Sequence, residues 1–203
     1  MNFPLGAYGR KAEPSQPALV VIREATVWSC TKRGVIEKAD VLFGAGKILA
    51  LGSKLKAPEG AIVIDGKGKH VTPGIIDCHS HIATDGGINE SAQAVTAEVR
   101  IGDFINCDDI NIYRQVAGGV TTSNILHGSA NPIGGQNQVI KMRWGASDEA
   151  MKFRAAPQGI KFALGENVKQ SNWGDKFTTR YPQTRMGVEQ IFRDEFQSAR
   201  EYR

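Results

Sequence analysis

The chain has 203 residues, of which 41% are apolar and 23% are charged, a balance typical of a folded globular protein. Its formal net charge is +4, but the basic residues are scattered among acidic ones, which argues against a nucleic-acid-binding surface. No apolar run approaches the roughly 20 residues of a membrane span, and the first ten residues lack the apolar centre of a secretory signal. We therefore expect a cytoplasmic protein that binds neither nucleic acid nor membrane.

The N-terminal third reads as a tail followed by short strands. Residues 1–17 are rich in proline and glycine without any periodic pattern, which predicts a tail or linker. Between residues 18 and 71, β-branched runs alternate with turns, which predicts strands at residues 19–23, 25–29, 39–43, 47–51 and 61–64. The Gly44-Ala45-Gly46 sequence between two of these runs indicates a hairpin.

After Pro73 the pattern changes to buried strands that alternate with helices, which is typical of a parallel sheet. Strands are predicted at residues 75–78, 120–126 and 159–164. A helix is predicted at residues 108–117, with Asp108 or Asp109 as its N-cap and Gly118-Gly119 as its end. Apolar residues recur at helical spacing over residues 186–199, and no glycine, asparagine or proline follows before Arg203.

The segment at residues 72–81 reads TPGIIDCHSH and carries the clearest chemical signal of the chain. Side chains alternate across a strand, so His79 and His81 are expected on one face, with Cys78 and Ser80 on the other. Two neutral imidazoles held close together on a rigid strand suit a small divalent cation, and Asp77 on the same face can support them. The sequence therefore predicts a metal site.

Residues 65–81, DGKGKHVTPGIIDCHSH, resemble the entry to the barrel in the amidohydrolase superfamily, and most closely its imidazolonepropionase-like members. The resemblance extends over about residues 19–203. It implies a metal-dependent hydrolase with a distorted (β/α)₈ barrel and a small β-sandwich. The expected fold class is therefore α/β, with a tail or linker at residues 1–17, a small β-sandwich domain at residues 18–71 and the first half of a (β/α)₈ TIM-like barrel at residues 72–203.

Two residues compete for a further metal-ligand position. Lys161 lies within the apolar run of residues 160–164, where an unmodified ammonium is costly. It resembles the lysine that many amidohydrolases carbamylate to bridge two metals; alternatively, it extends to solvent at a strand end. Glu166 follows at the end of the same strand, and some members of the superfamily use a glutamate there. We expect Lys161 to be the ligand.

Substrate contacts are expected from two loops. His127 closes the strand at residues 120–126 and begins a loop at residues 127–137 that is rich in small and amide side chains, which suits either a pocket wall or an ordinary tight loop. Residues 167–182 form a long connection of the kind that often acts as a lid. Arg180 in that connection suits a substrate carboxylate, or else satisfies a carboxylate of the protein.

The resemblance implies hydrolysis of a carbon–nitrogen bond, in a non-peptide amide or a cyclic amide of a small-molecule substrate, by water activated on one or two divalent ions, zinc foremost. The general base is expected outside this chain, which alone should be inactive and should require a missing C-terminal half or a homo-oligomer. Two alternatives stay open: a deaminase or N-acetyl-sugar deacetylase of the same superfamily, and a non-catalytic metal-binding half that assembles with a partner chain.

Overall fold

The structure is a computed structural model that describes residues 17–203. The tail or linker predicted for residues 1–17 lies, except for Pro17, outside the described residues. The described chain divides into an N-terminal unit of residues 17–74 and a C-terminal unit, Ile75–Arg203. Both α-helices and β-sheets are present, so the protein is of mixed α/β class.

The N-terminal unit is a five-stranded sheet. Its strands are β1 (Leu19–Trp28), β2 (Val35–Gly44), β3 (Lys47–Gly52), β4 (Ile62–Asp65) and β5 (His70–Val71). The strand order is β3-β2-β1-β4, and β5 also pairs with β1. β1 runs antiparallel to β2 and parallel to β4 and β5. Apolar residues of β1 and β2 form its core, which comprises Ala25, Val27, Ala39 and Val41.

The turns of this sheet follow from local residue chemistry. The hairpin predicted at Gly44-Ala45-Gly46 is confirmed, since Ala45 and Gly46 both have positive φ angles, of 49° and 72°, in the two-residue turn between β2 and β3. The two strands predicted at residues 19–29 form the single strand β1, interrupted by an irregularity near Glu24, which has a φ of 52°.

The C-terminal unit contains two small sheets. One has the order β6-β7-β9, with β6 (Ile75–Ser80) parallel to β7 (Val120–Ile125), and β9 (Gln138–Lys141) antiparallel to β7. The other pairs β8 (Ile133–Gln136) with β10 (Ile160–Phe162) in antiparallel fashion. The β6-β7-β9 sheet is therefore mixed. Part of the predicted loop at residues 127–137 forms the strand β8.

Three helices accompany these strands: α1 (Ile110–Ala117), α2 (Asp148–Met151) and α3 (Arg185–Tyr202). Of the two N-cap candidates, Asp108 and Asp109, it is Asp109 that caps α1 by accepting a hydrogen bond from the Asn111 amide. The core of this unit gathers buried side chains from β7, β9, α1 and α2, among them Ile112, Ile125, Ile140 and Met151. In the described residues no helix has the length and apolar character needed to cross a membrane.

The long connection at residues 167–182 is more ordered than an open loop. It contains 3₁₀ turns at Glu166–Val168 and Gln170–Trp173. The buried side chain of Gln170 accepts a hydrogen bond from the Arg180 amide at 2.6 Å, and the Gln170 amide bonds the Pro182 carbonyl. These hydrogen bonds tie both ends of the connection together.

Candidate metal centre

The two histidines of the TPGIIDCHSH segment lie side by side at the end of β6. Their ring centroids are 5.0 Å apart, and the planes are nearly perpendicular, at 87°. The His81 Nδ1 atom is 2.8 Å from the Leu126 carbonyl oxygen, so Nδ1 carries the proton and donates it. The Nε2 atom of neutral His81 consequently keeps its lone pair, as a metal ligand requires.

Lys161 reaches the same place from β10. Its Nζ atom is 3.3 Å from His79 Nε2, and its side chain is buried. Burial lowers the pKa of the Lys161 amine, because the ammonium loses hydration. Burial also lowers the pKa of His79, and the positive charges of Lys161 and His81 lower it further. The two lowered pKa values favour the unprotonated forms of the Lys161 amine and the His79 ring.

The donor set fits a divalent cation in part. His79 and His81 offer two imidazole nitrogens, the ligand type that suits zinc, copper, iron and nickel. Among residues 17–203 no group of three or more His, Cys, Asp and Glu side chains has the arrangement of a metal site. Lys161, whose Nζ atom lies beside His79, is a candidate for a further ligand, because a carbamate of its amine would offer two oxygens.

Glu166 lies elsewhere. Its carboxylate pairs with Lys169 at 2.5 Å and with Arg185 at 3.1 Å, and Asn172 also donates to it. The hydrogen bond from Lys169, with that from Asn172, holds the pKa of this exposed carboxyl below its usual range. The partners of Glu166 are thus Lys169, Arg185 and Asn172, and no hydrogen bond joins it to a histidine among the described residues.

His127 is buried behind the strand β8. Its Nδ1 atom donates to the Ile88 carbonyl oxygen at 2.8 Å, while Nε2 is buried without a hydrogen-bond partner. Gly135 makes room for the ring, since a Cβ there would lie 2.2 Å from His127 Nε2. Gly134 lies between His127 and Lys161. A Cβ atom added to Gly134 would be 3.6 Å from the His127 Cβ and 3.5 Å from the Lys161 Cβ. His127 therefore neighbours Lys161 and makes no hydrogen bond to His79 or His81.

Arg180 is occupied by acceptors of the protein itself. Its Nη1 atom donates to the carbonyl oxygens of Ser91 and Gln93 and to Asn131 Oδ1, and its Nη2 atom donates to the Ala130 carbonyl. The guanidinium also lies over the Trp173 ring, 5.0 Å from its centroid. The hydrogen-bond partners are carbonyl and amide oxygens, so neither the substrate carboxylate nor the protein carboxylate expected from the sequence is among them.

Asn131 is a residue that sequence reasoning missed. It is buried, its Nδ2 atom donates to the Glu90 carbonyl at 2.5 Å and to Thr96 Oγ1 at 2.8 Å, and its Oδ1 atom accepts from Arg180. Asn131 thereby joins the segments near residues 90–96, 127–131 and 170–183. Its only sequence signal is an amide before Pro132, which is common in ordinary turns.

Comparison with known proteins gives a consistent picture. No family model matches the chain. An amidohydrolase, tasK of Hapsidospora irregularis, is 37% identical over 180 residues, which cover 79% of this chain and 18% of that protein. The imidazolonepropionase of Idiomarina loihiensis is 43% identical over 75 residues, or 36% of this chain and 18% of the enzyme. A crystal structure of an amidohydrolase from Thermotoga maritima superimposes with a TM-score of 0.77 at 36% identity, covering 90% of this chain and 48% of that one.

The mixed α/β fold, the β6 histidine pair and these similarities agree with the resemblance seen in residues 65–81. The chain belongs to the amidohydrolase superfamily. It spans 18% of the length of each of the two curated relatives and about half of the solved structure, 48%.

Proposed function

We propose that this chain contributes to the active site of a metal-dependent hydrolase that cleaves a carbon–nitrogen bond in a non-peptide amide or a cyclic amide. The observation that carries the proposal is the approach of Lys161 Nζ to within 3.3 Å of His79 Nε2, beside the His81 ring. Lys161 is buried, and an unmodified ammonium there loses hydration, so packing alone does not account for its approach to the two imidazoles.

In this proposal His79 and His81 hold one divalent ion, and Lys161 helps to hold a second. When bound, such an ion lowers the pKa of water and polarises a carbonyl group. The Leu126 carbonyl keeps His81 in the tautomer that presents Nε2. The Asp77 carboxylate accepts a hydrogen bond from the His79 amide at 3.1 Å. This bond restrains the backbone of β6 at His79.

Lys161 would act as a carbamate. Its lowered pKa increases the fraction of neutral amine, which can add to carbon dioxide with loss of one proton. The product is an anion with two oxygens, which removes the buried positive charge and supplies ligands suited to bridging two metals. The structural alternative, in which Lys161 extends to solvent at a strand end, agrees with neither the burial of Lys161 nor its contact with His79 Nε2.

The deacetylase alternative would place Glu166 in the Lys161 position. The ion pairs of Glu166 with Lys169 and Arg185 argue against it, because they would have to break before the carboxylate could reach a metal. A non-catalytic metal-binding half stays open, since no general base is assigned here. We place that base in another part of the protein or in another chain.

An exposed apolar surface on the C-terminal unit supports the proposal that a further partner binds this chain. Large side chains near β10 and α3 are exposed, namely Phe162, Leu164, Met186 and Phe196. Phe162 stacks on Phe196 with centroids 6.1 Å apart, so these rings form one patch. In our proposal the remaining part of the enzyme, or a second copy, covers this patch.

Metal content tests the proposal. His79→Asn and His81→Asn should each lower the zinc content of the purified protein to less than one ion per site, whereas His70→Asn should leave it unchanged. His70 is the matched control, because it lies on β5 and contacts Trp28 instead. Full metal content in both active-site variants would refute the proposal. Hydrolysis of a panel of N-acyl amino acids and cyclic amides would then define the substrate class.

A further inference from the structure

Arg180 connects distant segments of the C-terminal unit. Its Nη1 atom donates to the carbonyl oxygens of Ser91 and Gln93, at 2.6 Å and 2.9 Å. The same atom donates to Asn131 Oδ1 at 2.8 Å, and Nη2 donates to the Ala130 carbonyl oxygen at 3.0 Å. These acceptors lie 49 to 89 residues away in sequence, so one guanidinium binds two distant segments at the same time.

The segments that Arg180 binds follow strands of the candidate metal centre. The first comes after β6, which carries His79. The second comes after β7 and Leu126, whose carbonyl oxygen accepts a hydrogen bond from His81. Arg180 itself comes after β10, which carries Lys161. Arg180 therefore restrains the chain beyond each strand that supplies or orients a candidate ligand.

The residues after Asn131 carry this restraint to Lys161. The Pro132 carbonyl oxygen accepts a hydrogen bond from the Ala163 amide at 3.0 Å. The strand β8 begins at the next residue and pairs with β10, of which Lys161 is the central residue. Asn131, held by Arg180, is thus adjacent to the pairing that places the lysine.

Thr96 fastens the same network from a second segment. Its side chain is buried, and its Oγ1 atom accepts a hydrogen bond from Asn131 Nδ2 at 2.8 Å. Its backbone amide donates to the Ile133 carbonyl oxygen at 3.0 Å. Asn131 therefore binds Arg180 through its oxygen and Thr96 through its nitrogen, and both partners hold the start of β8.

From these contacts we infer that Arg180 is a positioning residue of the candidate metal centre, which keeps Lys161 at its place beside His79 through Asn131 and β8. The inference rests on the proposed function, because Lys161 is proposed there as a metal ligand. The planar fork of a guanidinium suits four acceptors in several directions, whereas a lysine ammonium at the same position is a single point of charge.

Amide hydrogen exchange of the intact, metal-free chain tests the restraint. In Arg180→Lys, exchange should become about tenfold faster in residues 91–96, 130–136 and 160–163, the ratio that corresponds to one charge-assisted hydrogen bond. Exchange in α1 should stay unchanged. Ile112→Val, in the buried core of the same unit, is the control for lost stability and should not concentrate faster exchange in these three segments.

Reductive methylation of the same metal-free chain, followed by mass spectrometry, tests the position of Lys161 directly. The lysine is 9% exposed, so it should react slowly in the natural protein and about tenfold faster in Arg180→Lys. Exposed Lys47 of the N-terminal unit is the internal reference and should react equally in both proteins. Ile112→Val should leave the rate at Lys161 unchanged.

An even rise of exchange over the C-terminal unit, or an unchanged methylation rate at Lys161 in folded Arg180→Lys, would overturn the inference. If Arg180→Lys does not fold, Thr96→Val decides, because it removes only the hydrogen bond from Asn131 to the hydroxyl. It should give the same pattern to a smaller extent, and a natural pattern in this variant would equally overturn the inference.

Zinc titration separates this inference from the proposed function. Weaker binding of a second zinc ion in Arg180→Lys, with the first unchanged, would support both. Faster methylation of Lys161 with unchanged zinc binding would uphold the positioning role of Arg180 and refute Lys161 as a ligand.

Discussion

The side chain of Lys161 meets the ring of His79 across 82 residues of sequence, with Nζ 3.3 Å from Nε2. One comes from β10 and the other from β6, strands that belong to different sheets. The contact joins a buried amine to a histidine whose pKa is lowered by partial loss of hydration and by the charges of Lys161 and His81. It is the relationship on which the proposed metal centre depends.

Removal of Lys161 should reduce metal content in a recoverable way. In Lys161→Ala, we expect the second metal ion to be lost, because the bridging carbamate can no longer form, and a short carboxylic acid in the buffer should restore part of it. Elemental analysis of the purified protein measures both effects. Lys176→Ala, at an exposed position, is the control. Unchanged metal content in Lys161→Ala, together with loss in Glu166→Gln, would transfer the ligand role to Glu166.

Replacement of Arg180 should reduce the stability of the protein more than it weakens substrate binding. Arg180→Lys keeps the charge but cannot satisfy four acceptors with a fixed planar fork, so we expect a loss of about 2–3 kcal/mol in the free energy of unfolding. Urea denaturation measures it. Arg193→Lys should lose much less stability, because the ion pair of Arg193 with Glu189 is exposed to solvent. A stable Arg180→Lys protein with a raised KM only for carboxylated substrates would restore the substrate-binding role.

Gly135 should not tolerate a side chain. In Gly135→Ala the new Cβ would lie 2.2 Å from His127 Nε2 and 2.4 Å from the Val99 carbonyl oxygen, so both must move. We expect a loss of about 3 kcal/mol or failure to fold. Thermal unfolding of Gly87→Ala provides the contrast, since nothing lies within 4 Å of the corresponding Cβ. Similar melting temperatures for the two variants would show that the packing around His127 differs from the structure.

The Asp40 carboxylate should make the N-terminal unit sensitive to acid. Burial alone would raise its pKa, but hydrogen bonds from the Glu24 amide, Arg23 and the Leu55 amide outweigh burial and lower the pKa below its ordinary value of 3.8. Because the folded pKa is lowered, this stabilisation is present above pH 3.8 and is lost as the pH falls through the lower folded value.

Asp40→Asn should therefore be less stable than the natural protein at pH 7, by about 2 kcal/mol, and the difference should narrow below pH 3.8. Chemical denaturation at several pH values, followed through a probe in the N-terminal unit, measures the difference. Glu37→Gln, on the exposed part of β2, is the control and should show no such narrowing. A constant difference from pH 7 to pH 3 would show that Asp40 acts through packing alone.

Local chemistry made several elements predictable from the sequence. The alternation of side chains in a strand placed His79 and His81 together, and the structure has their rings 5.0 Å apart. The Asp109 cap and the glycines at residues 118–119 defined the ends of α1, and the turn after Gly44 needed residues that accept positive φ. Each of these features depends on residues close in sequence, so a single chain segment contains the information.

Contacts between distant segments required the tertiary structure. The strand β8 escaped prediction because Gly134 and Gly135 have little intrinsic strand preference, and its pairing with β10 and its packing against His127 form it. The carbonyl partners of Arg180 lie 49 to 89 residues away, so sequence alone left its role between substrate and structure. The sequence by itself determined the histidine pair and the candidate lysine, through side-chain alternation and the cost of a buried ammonium. Only the tertiary structure brought Lys161 to His79, and only it paired Glu166 with Lys169 and Arg185. The physical reason is that these distances depend on how segments pack together, which no local preference of the chain determines.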